Sequence, residues 1–336
     1  MNATLSSPVL AVLSTLLEQR GQPITTDTLA RTTRQEADQV RTSLRILSEQ
    51  RCVIEPVGVD TVQLVRSGES CWEPYLRSCH PESLGLEVHR SVTSTQDIAR
   101  DRLEQSSTEA DGFVVLADHQ TRGRGRRGRR WTAPPGTGVL LSRVFVFPRP
   151  PAETVINHLI ASSAVAVAGA LEAAGGPRVP SLQIRWPNDL VVNHRKLAGI
   201  LVEGFSTPDQ AMAAAIVGVG VNVTNSATDL QGYGDTPVSD ITSFRDLGVL
   251  ADRLMVAKQI VTALDAQAAG QIEDVTGTWR QRCVLPEGTV RIHHDGKTIH
   301  GRVLAADPSE GLVVHVDGGG IRHLPAASTS IERPAN

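Results

Sequence analysis

The 336-residue sequence predicts an α+β protein in three parts. These are an N-terminal winged helix-turn-helix, a central mixed β-sheet with helices, and a C-terminal SH3-like β-barrel. Three patterns carry that expectation. Residues 8–65 read as helix, short helix, longer helix and two alternating strands; the centre holds apolar strands set between helical stretches; and residues 288–331 alternate in short strands between turns. The expected boundaries are 1–66 for the winged-helix domain, 67–85 for a linker, 86–283 for the central domain and 284–336 for the C-terminal domain.

Pro8 opens a run in which Val9, Leu10, Val12, Leu13, Leu16 and Leu17 share a helical face, and Gly21 stops it. Thr25 or Thr26 caps a short helix through Leu29 and Arg31. A second cap at Thr32-Thr33 leads into a helix over Arg34–Gln50, where Val40, Leu44 and Leu47 recur with helical spacing. Cys52–Glu55 and Thr61–Val65 alternate as a hairpin across Gly58. In a winged helix-turn-helix the third helix enters the major groove. Its exposed face carries Arg34, Gln35, Gln39, Arg41 and Arg45, the candidate DNA contacts. Glu36, Asp38 and Glu49 share the segment, so a dimerisation or regulatory module with solvated arginines stands as the other reading.

The linker over 67–85, with Pro74, Pro81 and Gly85, has room for one short helix. A strand at Leu86–His89 runs into Ser91–Asp97, where Thr93 or Ser94 caps the helix bearing Ile98, Ala99 and Leu103. Such a cap, with its free N–H groups, can also hold a polar ligand head. Further strands are expected at Gly112–Ala117, Val139–Val146, Gln183–Trp186, Leu190–Val192, Lys196–Glu203 and Ala214–Val223, with a hairpin turn at Asn193-His194. Helices are expected over Ala152–Ala174 and over Leu250–Ala269, the latter continuing in part to Trp279. Leu230–Ser243, rich in Gly, Asp and Pro, reads as a mobile loop. The C-terminal strands fall at Thr289–His293, Lys297–Ala305, Gly311–Val316 and Gly320–Pro325, with turns at Asp295-Gly296 and Asp317-Gly318.

Apolar residues make up 40% and charged residues 21%, the balance of an ordinary globular chain. A formal net charge of −3 argues against a bulk polyanion binder, so basic function must be local. The four cysteines, Cys52, Cys71, Cys79 and Cys283, form no C-x-x-C pair, and Cys79-His80 lacks a second ligand pair, so thiols rather than a metal centre are expected. No basic segment followed by an apolar one opens the chain, so no signal peptide is expected. The longest apolar run, near Ala161–Ala174, reads as too short to span a bilayer. The expected location is cytoplasmic, with no membrane partner.

From Arg122 to Arg130 the chain holds six arginines and three glycines, with no apolar side chain until Trp131. Glycine lets backbone pass close to a ligand, and arginine supplies a permanent, planar fork of donors for phosphate or carboxylate. Such a loop is suited to close over an anion. Gly123–Gly128 also matches G-x-G-x-x-G, but a dinucleotide loop needs a helix straight after the third glycine. Arg-Arg-Trp-Thr-Ala-Pro-Pro-Gly follows instead. No P-loop motif occurs, and Trp131 alone is a poor stacking platform for RNA.

Downstream stand Arg185-Trp186-Pro187-Asn188-Asp189, Lys196-Leu197-Ala198-Gly199-Ile200-Leu201 and Gly218-Val219-Gly220-Val221-Asn222-Val223. With Ser94-Thr95 and the arginine loop, these closely resemble the biotin protein ligase family. The likeness runs from about Leu86 to the C-terminus. GRGRRGRRW, WPNDL and RKLAGILVE in that order form a specific set, and the N-terminal segment resembles the bifunctional members that also repress biotin genes.

The resemblance implies a class II synthetase-like catalytic domain over 86–283 and a two-step reaction. Biotin is first joined through its carboxylate to the α-phosphate of ATP, and the acyl group then passes to a lysine of a biotin carboxyl carrier domain. The implied catalytic residues are Lys196, against the carboxylate and α-phosphate, with Arg126 and Asp189. Asp189 either positions Mg²⁺ or orients the incoming amine. Ser94, Thr95, Gln96 and Gln120 correspond to contacts of the biotin head, and Arg124, Gly125 and Arg126 to the loop folding over biotin. Arg129, Arg130 and Trp131 would cover the adenylate, while Asn188 and Asn222 would meet the nucleotide or its metal. Gln96 departs from the family's usual Asn. No protein metal site is implied; Mg²⁺ accompanies ATP. Operator DNA and a homodimer through the central sheet are further implied partners, and a loop that is floppy until ligand arrives is an implied property. A lipoate or octanoate ligase, and a biotin-sensing regulator with ligation secondary, are the competing readings.

Overall fold

The computed structural model describes residues 5–80, 85–106, 109–147, 153–206, 213–226, 228–230, 237–271, 273–308, 310–326 and 328–332. Helices α1 (Ser7–Glu18), α2 (Thr26–Thr33) and α3 (Ala37–Glu49) open the chain. Strands β1 (Ile24–Thr25), β2 (Val53–Gly58) and β3 (Thr61–Arg66) form a three-stranded antiparallel sheet beside them, in the order β1-β3-β2. Val9, Val12, Leu13, Leu16 and Leu17 are buried, as the helical spacing of α1 requires.

One boundary differs from expectation. Thr32-Thr33 do not cap the third helix; they end α2, whose own cap is Thr25. Arg34 then takes a left-handed conformation (φ 54°), and α3 starts only at Ala37. Glu36 and Gln39 form a capping box there, each side chain satisfying the other's backbone N–H. The Thr-Thr pair resembles a cap in sequence, but the acidic Glu36 before Ala37 satisfies the helix.

The linker is partly folded. A 3₁₀ turn at Glu69–Cys71 precedes α4 (Trp72–Cys79), and Trp72, Tyr75 and Leu76 are buried. Residues 81–84 of the expected linker lie outside the described residues. Next come β4 (Leu86–Val92), α5 (Thr95–Gln105), β5 (Val114–Gln120), β6 (Gly138–Phe147) and α6 (Glu153–Gly175). Strands β7 (Gln183–Arg185), β8 (Asp189–Val192), β9 (Arg195–Ser206) and β10 (Ala213–Asn222) follow. The expected start of α6 at Ala152 lies outside the described residues, as do residues 231–236 of the loop read as mobile.

Helices α7 (Arg253–Ala268) and α8 (Val275–Arg282) replace the single long helix expected to run on to Trp279. Gly270 and Asp274 both take left-handed angles between them, and the Asp274 carboxylate caps α8 by accepting from Gly277 N–H. Strand β11 (Cys283–Val284), which sequence reasoning missed, pairs in parallel with β7.

The central sheet has eight strands in the order β11-β7-β8-β9-β10-β6-β5-β4 and is mixed, with β4/β5 and β11/β7 parallel. It is covered on both faces, which explains the unbroken apolar runs of its strands. On β10, Ala215, Val217, Val219 and Val221 join the core under α6 and α7, whereas Ala214 and Ile216 join Ala99 and Leu103 of α5. Helix α6 is long and apolar enough to cross a membrane by length and composition, which corrects the expectation of a run too short to do so. Within the protein, 67% of its apolar window is buried.

The C-terminal strands are β12 (Thr289–His294), β13 (Lys297–Asp307), β14 (Gly311–Val316), β15 (Ile321–Leu324) and β16 (Thr329–Ile331). They form an antiparallel sheet ordered β15-β14-β13-β12-β16, with an irregularity in β13 between Val303 and Ala305. Short β16 was not legible in the sequence.

Candidate active site

The site lies on the α5 face of the central sheet, beyond the end of that helix. Side chains alternate faces along a strand, so Ala214, Ile216, Gly218, Gly220 and Asn222 share one face of β10. The first two are covered by α5; the next two carry no side chain and open a cavity of about 400 Å³. Register carries the same face across the sheet. Gly218 lies between Ser142 and Leu201, Gly220 between Leu140 and Gly199, and Gly199 faces Asp189 on β8.

All the residues assigned to biotin and ATP line this one cavity: Ser94, Thr95, Gln96, Gln120, Arg124, Gly125, Arg126, Arg129, Arg130, Trp131, Asn188, Asp189, Lys196 and Asn222. The candidate DNA contacts are elsewhere. Arg34 ends α2, Gln35 donates to the Pro8 carbonyl at 3.0 Å, and Gln39 is held in the capping box. Arg41 pairs with Asp38 at 2.9 Å and Arg45 with Glu49 at 2.6 Å, all on the exposed side of α3.

At one end Ser94 caps α5, its hydroxyl accepting from Gln96 N–H at 3.3 Å. Thr95 N–H donates to Gln120 Oε1 at 2.7 Å, and the Thr95 and Ser142 hydroxyls meet at 2.7 Å. The Gln120 carbonyl is thereby engaged, which turns its amide nitrogen towards Gly123. Gln96 is 3% exposed; its Nε2 donates weakly to Ile216 O at 3.5 Å across Gly218, and its Oε1 has no partner among the described residues. A buried orphan acceptor is costly unless a ligand donor meets it.

The arginine loop is a folded hairpin. Trp131 N–H donates to Gly123 O at 3.0 Å and Gly125 N–H to Arg129 O at 2.8 Å; Arg127 and Gly128, both left-handed, turn the tip. Three side chains pin it. Arg124 bridges Asp97 of α5 and Glu203 of β9, Arg126 donates to Ala326 O at 2.9 Å, and Arg127 donates to Ser330 Oγ at 2.6 Å. Burial, with Arg127 next to it, lowers the Arg126 guanidinium to about 10, so it stays cationic at neutral pH. Asp97, Glu203 and the β16 segment were not singled out from sequence; Asp97 directly follows Gln96, and Glu203 closes RKLAGILVE, which were the available signals.

At the other end Lys196 Nζ lies 2.5 Å from Asp189 Oδ1, and Arg185 lies 3.2 Å from Asp189 Oδ2. Lys196 also sits 5.2 Å from the centre of the Trp131 ring. The β8–β9 hairpin sets these positions: Asn193 and His194 both take left-handed angles, as its two-residue turn requires. The amide nitrogens of Asn188 and Asn222 are spent on backbone. Asn188 donates to Ile200 O, and Asn222 to Thr242 O at 3.1 Å and Lys196 O at 3.4 Å. Among the described residues no group of three His, Cys, Asp or Glu converges on a metal position.

The arrangement can hold an extended ligand with a polar head at the α5 cap and an anionic end between Lys196 and the arginine hairpin. Comparison with known proteins points the same way. The sequence profile of the Biotin/lipoate A/B protein ligase family matches residues 88–222. The bifunctional ligase/repressor BirA of Bacillus spizizenii is 36% identical over 245 residues, 71% of this chain and 72% of that protein. The biotin–[acetyl-CoA-carboxylase] ligase of Mycobacterium tuberculosis is 37% identical over 164 residues, 48% of this chain and 56% of that protein. In fold, the chain resembles a biotin protein ligase from Aquifex aeolicus solved with biotin and ATP. The TM-score is 0.56 at 24% identity, covering 74% of this chain and 99% of that one.

Proposed function

Because the chain belongs to the biotin/lipoate A/B protein ligase family, we propose that it is an ATP-dependent biotin protein ligase. In this reading it forms biotinoyl-5′-AMP and then biotinylates a lysine of a biotin carboxyl carrier domain. The observation that carries this reading is the cavity in which the α5 cap, the arginine hairpin and the Lys196–Asp189 pair meet on one sheet face.

In the first step a carboxylate oxygen attacks the α-phosphorus and pyrophosphate leaves. Two anions must be brought together, and preplaced cations act most strongly in a site shielded from bulk water. Lys196 is held by Asp189 near the Trp131 ring, where it stabilises charge as the mixed anhydride forms. Arg126, half-buried and cationic, exchanges the Ala326 carbonyl for ligand oxygens. Ser94, Thr95, Gln96 and Gln120 take the ureido head; the orphan Gln96 Oε1 accepts one of its N–H donors. In the second step the carrier amine attacks the acyl carbon and AMP leaves, with Asp189 placed to orient that amine. Asp189 and Asp240 line the cavity and would be the carboxylates to meet an Mg²⁺ ion carried on the ATP phosphates, which would offset polyphosphate charge.

The N-terminal unit is proposed to be a winged helix-turn-helix that represses transcription at an operator. The order α1, α2, α3 and a β2–β3 wing supports this, as does the similarity to a bifunctional ligase/repressor. The C-terminal sheet is proposed to be an SH3-like barrel, and the 67–85 and 283/284 boundaries follow from these assignments. A homodimer through the central sheet is supported by β4, an edge strand paired only with β5 among the described residues. A cytoplasmic location fits ATP-dependent chemistry on a carrier protein.

The test is incorporation of biotin into a purified carrier domain, read by mass. Labelling that requires ATP and Mg²⁺, and that survives competing lipoate and octanoate, is expected. Labelling by lipoate in preference to biotin would overturn the assignment.

A further inference from the structure

Outside the cavity, two thiols stand together at the junction of three parts of the molecule. Cys52 immediately precedes β2, and Cys71 ends the 3₁₀ turn before α4. Their sulfurs are 3.6 Å apart. Cys71 has no exposed surface, and Cys52 is 5% exposed. The segment bearing Cys71 is laid tightly on the chain around Cys52. Gly68 N–H donates to Cys52 Sγ at 3.2 Å, and Ser70 Oγ donates to Gln50 O at 2.8 Å. A Cβ on Gly68 would strike the backbone of Gln50–Cys52, so only glycine allows this approach. Ser67 N–H and Oγ both donate to Asp252, at 2.7 Å each, where that carboxylate caps α7.

The two sulfurs are not equivalent. Cys52 Sγ can accept from the Cys71 thiol and from Gly68 N–H, and these hydrogen bonds hold its thiol below the ordinary value. The bond to Cys52, together with burial, pushes the Cys71 thiol up. The thiolate is the nucleophile in thiol oxidation, so Cys52 is the attacking group.

We propose that Cys52 and Cys71 are an oxidisable dithiol whose disulfide staples the N-terminal unit to the connector ahead of the central domain. With hydrogen peroxide as oxidant, the Cys52 thiolate attacks one peroxide oxygen, the O–O bond breaks and hydroxide leaves a sulfenic acid on Cys52. The Cys71 sulfur then attacks the Cys52 sulfur, the S–O bond breaks, and water leaves with the Cys71 proton. Two thiols are oxidised by two electrons while one peroxide is reduced to water. The sulfurs must close by about 1.5 Å to reach bonding distance. The staple would close the base of the β2–β3 hairpin, away from the proposed ligand cavity.

The test uses the full-length chain, fully reduced and then exposed to hydrogen peroxide in native buffer. Remaining thiols are alkylated after denaturation and counted by peptide mass spectrometry. Loss of two of the four alkylable thiols and recovery of a Cys52–Cys71 linked peptide are expected. In Cys71→Ser the sulfenic acid on Cys52 should persist and be trapped by a 1,3-diketone; in Cys52→Ser, Cys71 should stay reduced. Wild-type chain in which both thiols remain alkylable, or in which either pairs with Cys79 or Cys283, would overturn the proposal without recourse to a variant.

Discussion

Gly199 and Gly220 face each other across the β9–β10 ladder, and the Trp131 indole lies over both. A Cβ on Gly199 would stand 2.9 Å from Lys196 Nζ and 3.1 Å from Trp131 Cζ3, while one on Gly220 would run into the indole itself. The paired glycines therefore form a floor that seats Trp131 beside Lys196. Gly220→Ala should expel the ring and shift its fluorescence, while the sheet stays folded by circular dichroism. Misplacing groups at the reacting end by about 1 Å should lower kcat/KM for carrier biotinylation by roughly 10²-fold. An alanine variant with normal kcat/KM and unchanged emission would show that the floor does not position the site.

The hairpin's hold on Arg126 predicts retention of the intermediate. Arg126→Ala removes the tie to Ala326 and a cation at the cavity mouth. Bound adenylate should then dissociate or hydrolyse about ten-fold faster, because an incompletely closed site admits water. A pulse-chase half-life equal to wild type would remove Arg126 from any lid role.

Stability in acid depends on a network remote from the cavity. Burial raises the Asp265 carboxyl, but hydrogen bonds from His80 and Arg143 outweigh it and hold the group below its ordinary value. A depressed folded-state value contributes stability that is present above about pH 4 and lost as pH falls through the folded value. The urea midpoint of wild type should fall across that range, and the acid limb of Asp265→Asn should be flatter. Asp265→Ala leaves the buried Arg143 uncompensated and should cost about 3 kcal/mol at pH 7. Parallel acid limbs for wild type and Asp265→Asn would refute this assignment.

Repression makes a separate prediction on α3. The chain should shift a DNA fragment from its own promoter region in the presence of biotin and ATP, with steep salt dependence. Arg45→Ala should weaken binding and reduce the salt slope by about 1 if this arginine meets a phosphate. No shift in any ligand state would reduce the N-terminal unit to a structural role.

Much of the fold was legible because the strands obey simple periodicity. The two-sided burial of β10 follows from its unbroken apolar run, and the hairpin turn at Asn193-His194 was marked by residues that tolerate left-handed angles. The cavity-lining side chains were implied by the resemblance of their motifs to the biotin protein ligase family. What remained hidden depends on distance in sequence. The supports of the arginine hairpin are Asp97, Glu203, Ala326 and Ser330, and the last two lie about 200 residues beyond the loop they hold. The break between α7 and α8 was missed because apolar spacing continues through it, while Gly270 and Asp274 take left-handed angles that no helix holds. Gln96 reads as an enlarged Asn in sequence; only Gly218 beneath it shows where the extra length goes.

The central claim is that Lys196, set between Asp189 and Trp131, stabilises charge as a carboxylate joins the α-phosphate. Biotin-dependent exchange of labelled pyrophosphate into ATP measures that step without the carrier. Wild type should catalyse exchange only with biotin present, and Lys196→Ala should be slower by about 10²–10³-fold, the loss usual for one transition-state donor. Absence of biotin-dependent exchange in the wild-type chain, or near-normal exchange by Lys196→Ala, would contradict the account.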